Sequence, residues 1–321
     1  MKLPAAQKIW LGLGAAVAAV VLCTLPFLAA KTQKDIVYVY SASPKPDSRE
    51  VGFIRELKKL GCEVKVNPEN KPDKSVAAVW FRSPEFARNL ADSEAGYDFI
   101  YSEAYYPFDW RGLPKMPVML TPYREIYEHY ARSNIKSAMF TLGVNTADYT
   151  APALADAGKK YPLVWYGDNN RQTSLAEKII ARPDSYILGN FWEKSAELLP
   201  AVEAKEKGRV LSQTSVAVVY YPSGAPENKI ISPKIAEAAA AGALVITGDN
   251  PAVKEMYGDS VIVARADEEI LGLAEYYLNQ PEISAEKITA ARRITAEKLS
   301  AAASARRFKA ILDWLKNNSI N

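Results

Sequence analysis

The sequence predicts an α/β protein: two Rossmann-like halves with parallel sheets, preceded by one N-terminal transmembrane helix. Three observations lead there. From Asp35 onward, short apolar runs alternate with amphipathic or alanine-rich stretches, the pattern of βαβ units. The stretch Ile231 to Ala264 spells out helix, strand, helix, strand with its own punctuation. Ile9 to Ala30 holds no charged residue over 22 positions, and as a helix would extend ~33 Å, enough to cross a bilayer core.

In the first half, Asp35 to Tyr40, Cys62 to Val66, Val76 to Phe81, Tyr97 to Tyr101 and Val118 to Leu120 read as strands. Ser48 to Leu60 reads as an amphipathic helix with Phe53, Ile54, Leu57 and Leu60 on one side. Asn67 to Lys74 is Pro- and Asn-rich and reads as loop, and Ser83-Pro84 opens another helix. The second half starts near Thr150. Its strands are Leu163 to Tyr166, Tyr186 to Leu188, Val216 to Tyr220, Leu244 to Thr247 and Val261 to Val263. Ile283 to Asn317 is helical, with Phe308, Ile311, Leu312 and Leu315 on an apolar stripe. The aromatic cluster Tyr97, Tyr101, Tyr105, Tyr106, Phe108 and Trp110 suits packing better than sugar stacking.

Ile231 to Ala264 is the most informative segment. Ser232 is a good N-cap and Pro233 fits the first helical position. The alanine-rich helix stops at Gly242, a natural left-handed residue. Ala243 to Thr247 is a buried strand, and Asn250-Pro251 repeats the cap-plus-proline start. Lys234 lies in the first turn, where a cation opposes the helix dipole at roughly 0.3–1 kcal/mol. With free N–H groups beside it, it suits a phosphate; as an isolated lysine it is a solvated surface residue. Glu237, three residues on, shares its face and can accept hydrogen bonds from ribose hydroxyls. Gly167-Asp168-Asn169-Asn170-Arg171 joins a strand to a helix. There Gly167 allows close phosphate approach, with Arg171 or Lys178 as counter-charge. His129 is a candidate base or, equally, a packing residue on a Tyr-rich helix.

These residues resemble a known family. The pattern Ser-Pro-Lys-x-x-Glu-Ala-x-Ala-x-Gly-Ala-x-Val-Ile-Thr-x-x-Asn-Pro-x-x-x-Glu-x-x-Gly, from Ser232 to Gly258, is similar to the donor-binding segment of group 1 (family 4) glycosyltransferases, nearest the spore-maturation CgeB-like branch. Thr121 to Tyr130, then Leu142-Gly143-Val144-Asn145-Thr146 and Tyr149, resemble the stretch where these enzymes leave their N-terminal domain. The resemblance implies a GT-B fold of two facing Rossmann-like domains: an anchor over 9–30, an acceptor-side domain over 35–149, a donor-binding domain over 150–283, and helices over 284–317 packing back on the first domain. It implies metal-independent transfer of a sugar from a nucleotide-sugar to a glycan, lipid or protein acceptor, with no cofactor beyond the donor. The donor-binding residues it implies include Ser232, Lys234, Glu237, Gly242, Asn250 and Glu255. The family's two glutamates stand eight apart; Glu237 matches the second, Lys229 stands where the first would be, and Glu227 is out of register. Lys234 replaces arginine and loses its bidentate geometry. The rival expectation is an inactive GT-B-fold binding or scaffold protein. A third is a fucosyltransferase-like enzyme with a type II anchor.

The composition narrows the classes further. The chain has 321 residues, 49% hydrophobic and 24% charged, with a net charge of +3, so it is globular and lacks the basic excess of a nucleic-acid binder. Cys23 and Cys62 make neither a disulfide framework nor a zinc pair, and His129 is the only histidine, which excludes His-rich metal sites. The apolar run exceeds the 7–15 residues of a signal-peptide core, and Phe27-Leu28-Ala29-Ala30 is a weak cleavage site, so an uncleaved anchor is expected. Lys2 and Lys8 before the run balance Lys31 and Lys34 after it. Nucleotide-sugars are cytosolic metabolites, so the expected location is the bacterial inner membrane with the globular part cytoplasmic; a periplasmic placement is the alternative.

Overall fold

The computed structural model describes residues 35–41, 47–67, 77–82, 98–107, 116–149, 159–167, 174–189, 198–199, 204–222 and 224–318. The expected anchor over 9–30 and the expected helix at Ser83-Pro84 lie outside them. Among the described residues no helix is long and apolar enough to cross a membrane.

The first half runs β1 (Ile36–Ser41), α1 (Ser48–Lys59), β2 (Glu63–Val66), β3 (Ala77–Arg82), β4 (Phe99–Ser102), β5 (Val118–Thr121), α2 (Arg124–Arg132) and β6 (Ser137–Met139). The strands pair in parallel in the order β2-β1-β3-β4-β5-β6. Strand alternation sorts the side chains. Val37, Val39, Phe99, Tyr101, Val118 and Leu120 face one core, while Ile100 and Met119 face the other. A capping box starts α1: Asp47 accepts from the Glu50 N–H at 2.9 Å and Glu50 accepts from the Asp47 N–H at 2.8 Å. Such a cap contributes about 1 kcal/mol.

The second half runs β7 (Tyr161–Tyr166), α3 (Ser174–Ile180), β8 (Ser185–Leu188), β9 (Leu198–Leu199), α4 (Ala204–Ser212), β10 (Thr214–Val218), α5 (Pro233–Ala241), β11 (Leu244–Thr247), α6 (Pro251–Tyr257), β12 (Ile262–Val263), α7 (Asp267–Leu278), α8 (Pro281–Lys298) and α9 (Ala301–Asn318). Its parallel order is β12-β11-β10-β7-β8-β9. Val164, Tyr166, Ala217, Val219 and Val245 face α4, α5 and α8. Leu163, Trp165, Val216, Val218 and Ile246 face α3 and α7 on the other side.

Sequence and structure differ in three places. The short strands β6 and β9 were not expected; each extends an edge where the neighbouring strand offers an open ladder. The helical run over 283–317 is broken at Leu299-Ser300, where the Ser300 hydroxyl accepts from the Ala303 N–H at 3.2 Å as an N-cap. The segment 284–317, expected to return to the first half as a whole, therefore divides. Helix α8 lies on α5 and β11, and α9 alone returns, packing on α1. Phe308 of α9 is fully buried among Phe53, Phe99 and Phe140, with ring centroids 5.7, 5.0 and 6.4 Å away in edge-on contacts.

The two passages between the halves are bonded to each other. The Val144 N–H donates to Leu299 O and the Ala301 N–H donates to Val144 O, both at 2.8 Å. The Gly143 N–H donates to Ser304 Oγ at 2.8 Å, and Ser304 Oγ donates to Thr141 O at 2.8 Å. A Cβ on Gly143 would stand 2.4 Å from the carbonyl oxygens of both Leu299 and Ser300. Neither backbone can yield without losing these bonds. Gly143→Ala is expected to lower stability by about 2–3 kcal/mol, read as a reduced urea midpoint, whereas Gly61→Asn, at a left-handed position in open space, should change it little.

Candidate functional site

In the second sheet β7 and β10 are neighbours, with β8 and β9 built out on one side and β11 and β12 on the other. Their carboxyl ends therefore flank a topological switch point, where open α/β sheets bind ligands. Helix α5 starts beside it. Glu237, in the second turn of α5, is only 7% exposed. Strand alternation turns Tyr166 toward α5, and its hydroxyl donates a hydrogen bond to the Glu237 carboxylate. The Tyr149 hydroxyl bonds the same carboxylate, and Lys207 Nζ of α4 lies 3.7 Å from it. Burial, then the Glu237 charge, pushes both tyrosines well above the usual phenol range. A carboxylate offers about four acceptor positions. Two hydroxyl donors are bonded to it, with the lysine held at ion-pair distance, so acceptor capacity remains for an incoming hydroxyl.

Ser232 caps α5, accepting from the Lys234 N–H at 3.3 Å and sharing a 2.6 Å hydrogen bond with the Tyr221 hydroxyl. Lys234 Nζ lies over the Tyr166 ring, 5.7 Å from its centroid, so the cation that opposes the α5 dipole is met by a π face. Gly167, just past β7, donates its N–H to Leu188 O at 3.1 Å. Ser232, Lys234, Glu237 and Gly167 thus gather at one edge of the sheet.

The other expected residues do not join them. Gly242 ends α5 at its far end, about 13 Å along the helix, with φ +90°. Its carbonyl accepts at 2.8 Å from Lys159, whose ammonium also bonds Ser212 O at 3.1 Å and Thr214 O at 2.8 Å. Burial, then the Arg292 charge, lowers the Lys159 pKa to about 8. Asn250 is fully buried and committed to scaffolding: it caps α6 by accepting from Val253 N–H and donates to Ile230 O at 3.0 Å. Lys178 is exposed in the last turn of α3, on the sheet face opposite α5. His129 is exposed in the last turn of α2, its ring edge-on to Tyr130 at 6.0 Å. Arg171 lies outside the described residues.

Between the halves lies a cleft of about 570 Å³. Pro122 to Glu125 line one wall and Asn228 to Ile231 the other, with Glu255 and Met256 of α6 beside them. Two ion pairs cross it: Lys229 Nζ to Glu125 at 2.8 Å and Arg124 to Glu255 at 3.5 Å. The lysine in place of the family's first glutamate therefore reaches the opposite half.

The first half has its own charged cluster at the carboxyl edge, which sequence reasoning missed. Arg49, in the first turn of α1, bonds Glu103 through both guanidinium nitrogens at 2.7 and 3.1 Å. The Tyr101 hydroxyl donates to the same carboxylate at 2.6 Å. Against the cost of burial, Arg49 and Tyr101 hold the Glu103 carboxyl below the usual carboxylate range. Arg49 and Glu103 stand 54 residues apart, so no local pattern announces them. Among the described residues, no group of three or more His, Cys, Asp or Glu side chains is placed to hold a metal ion.

Comparison with known proteins agrees with this geometry. A family model described as Glycosyl transferase-like matches residues 171–313. No curated protein is similar enough to count as a relative. Among solved structures, T4 phage BGT in complex with its UDP-glucose substrate is 12% identical, with a TM-score of 0.62 over 86% of this chain and 98% of that one. Sucrose-phosphate synthase from Thermosynechococcus elongatus is 12% identical, with a TM-score of 0.59 over 89% and 100%. Anabaena HepE in complex with UDP-glucose is 11% identical, with a TM-score of 0.53 over 87% and 100%. At these identities the likeness establishes the fold: a GT-B arrangement of parallel sheets.

Replacing Glu103 with Gln leaves part-buried Arg49 with only Asp47, 3.7 Å away, as a counter-charge and is expected to lower stability by about 2 kcal/mol at neutral pH. Folding lowers the Glu103 pKa from its ordinary 4.5, so the stability it supplies is whole above about pH 4.5 and is lost as the pH falls through the lowered value. Urea midpoints of wild type and Glu103→Gln should therefore draw together as the pH falls below 4.5; a gap that stays constant with pH would show that the carboxylate's charge does not carry the effect.

Proposed function

We propose that this chain is a glycosyltransferase that moves a sugar from a nucleotide-sugar to an acceptor without a metal ion. The observation that carries the reading is Glu237: a buried carboxylate at the switch point of a GT-B fold, bonded by two tyrosine hydroxyls and with acceptor capacity left for a ribose hydroxyl. The family match over 171–313 contains Ser232, Lys234, Glu237, Asn250 and Glu255. T4 phage BGT and HepE were solved with UDP-glucose, which makes uridine diphosphate sugars the first donors to try. In this reading the α5 N-terminus and Lys234 bind the donor phosphates and stabilise the charge that develops on the departing diphosphate. Lys234 would leave the Tyr166 ring for the phosphate. The nearest branch is the spore-maturation CgeB-like one, and the acceptor is a glycan, lipid or protein.

The rival reading, an inactive scaffold, is favoured by Lys229. Where the family's first glutamate would meet the transferred sugar, this chain places an ammonium paired with Glu125. Turnover separates the two readings. Donor binding with neither transfer nor hydrolysis across a panel of nucleotide-sugars would leave the scaffold standing. For the membrane we propose a single anchor over 9–30 and a cytoplasmic globular part. Alkaline phosphatase activity from a fusion after Asn321 would refute that placement.

Glu237→Gln keeps the shape of the cluster and removes its charge. Nucleotide affinity should fall by at least 1 kcal/mol, about fivefold, in titration calorimetry. An unchanged affinity would leave Glu237 as a packing residue. Lys234→Gln should weaken diphosphate binding while slightly stabilising the empty protein, because it relieves the unfavourable cation at the start of α5. Calorimetric affinity and melting temperature of the same variant read both effects.

A further inference from the structure

On the far edge of the first sheet, β6 and the second half of α9 enclose a groove of about 450 Å³. Its floor is apolar, with Ala138 of β6 and Ile311 and Leu315 of α9 continuing the core outward. Trp314 lines it with 58% of its surface exposed, the most exposed large apolar side chain on α9. Lys136 and Arg307 stand at the groove, both exposed. Among the described residues its lining contains no carboxylate; the nearby Asp313 is paired with Lys309 on the same helix. An apolar floor, an exposed indole and cations with no acidic partner in the lining are the composition of a surface that meets the headgroup boundary of a bilayer. The chain also carries 22 uncharged residues at 9–30, long enough to cross a bilayer core.

We propose that the groove between β6 and α9 is a lipid site, taking an acyl chain of an anionic phospholipid along Ile311, Trp314 and Leu315 with its phosphate on Lys136 and Arg307. The site is separate from the switch point and from the cleft, and it does not depend on sugar transfer. Bound there, the lipid holds the first half against the membrane by a second contact besides the expected anchor. Arg307 meets the phosphate as a planar fork and Lys136 as a point charge, and each cation near an anionic surface strengthens binding roughly fivefold.

The test uses the full chain in vesicles of phosphatidylcholine with three parts in ten phosphatidylglycerol. Trp314→p-benzoylphenylalanine should give a lipid adduct on irradiation at least tenfold above that of Tyr276→p-benzoylphenylalanine, a control at an exposed site on α7. Adding Lys136→Glu and Arg307→Glu, or omitting phosphatidylglycerol, should cut the adduct at least tenfold. Equal adducts at the two positions, an adduct insensitive to both charge changes, or crosslinks only to another copy of the chain would overturn the proposal. If the photoreactive variants aggregate, the same contact is read by tryptophan quenching with brominated acyl chains. That quenching should drop on Trp314→Tyr, and no drop would equally overturn it.

Discussion

Everything in this molecule is organised around one crossing. The chain passes from the first sheet to the second near Val144 and back again near Ser300, and the two passages pair as a parallel bridge. The bonds are ordinary in strength, each contributing about 1 kcal/mol. Their importance is positional. They lie where residues 140–149 leave one core and where α8 gives way to α9, so both halves hang from the same few backbone groups. Gly143 is there because the carbonyls of Leu299 and Ser300 occupy the space of any side chain. Gly208 answers the same demand nearby, since a Cβ there would lie 2.0 Å from Asp148 O. This lets α4 press on the turn that delivers Tyr149 to Glu237.

The two halves solve the same electrostatic problem in related ways. Each puts a cation in the first turn of a helix that opens at its sheet's carboxyl edge: Arg49 in α1 and Lys234 in α5. Both oppose the local helix dipole, and both are met by groups from a neighbouring strand. For Arg49 these are Glu103 and Tyr101; for Lys234 they include the face of Tyr166. The first arrangement matches charge with charge, and the second sets an ammonium beside an aromatic face with the Glu237 carboxylate nearby. The ion pairs from Lys229 and Arg124 across the cleft are exposed and contribute little stability.

Much of the second half was legible because its signals are local. Ser232-Pro233, Gly242 and Asn250-Pro251 act within three or four residues, and each does in the structure what its residue type predicts. The strands were legible for the same reason, being short apolar runs between polar turns. Legibility failed where structure is conferred from a distance. The three residues of β6 form a strand because β5 offers them a ladder, and nothing in Ser-Ala-Met asks for one. The break before α9 depends on one serine in an alanine-rich run, a residue that equally sits inside helices by bonding back to a carbonyl. Its hydroxyl also donates to Ala296 O at 2.7 Å. The residues around Glu237 come from three separate elements, and only the fold shows that Tyr149, Tyr166 and Lys207 share one carboxylate. Gly242, Lys178 and His129 show the converse. Residue type made them candidates, and their positions in the helices carry them away from the carboxyl edge.

Because α9 completes the first core, that core is discontinuous in the chain. Phe308 and Leu312 pack among Phe53, Phe99 and Phe140, the last of which lies 168 residues earlier (308 − 140). At 5–20 residues per second a ribosome needs roughly 10–30 s to make the intervening chain. During that interval Phe53, Phe99 and Phe140 lack the ring that closes over them. The first core is thus begun by the first strands made and completed only by the last helix made.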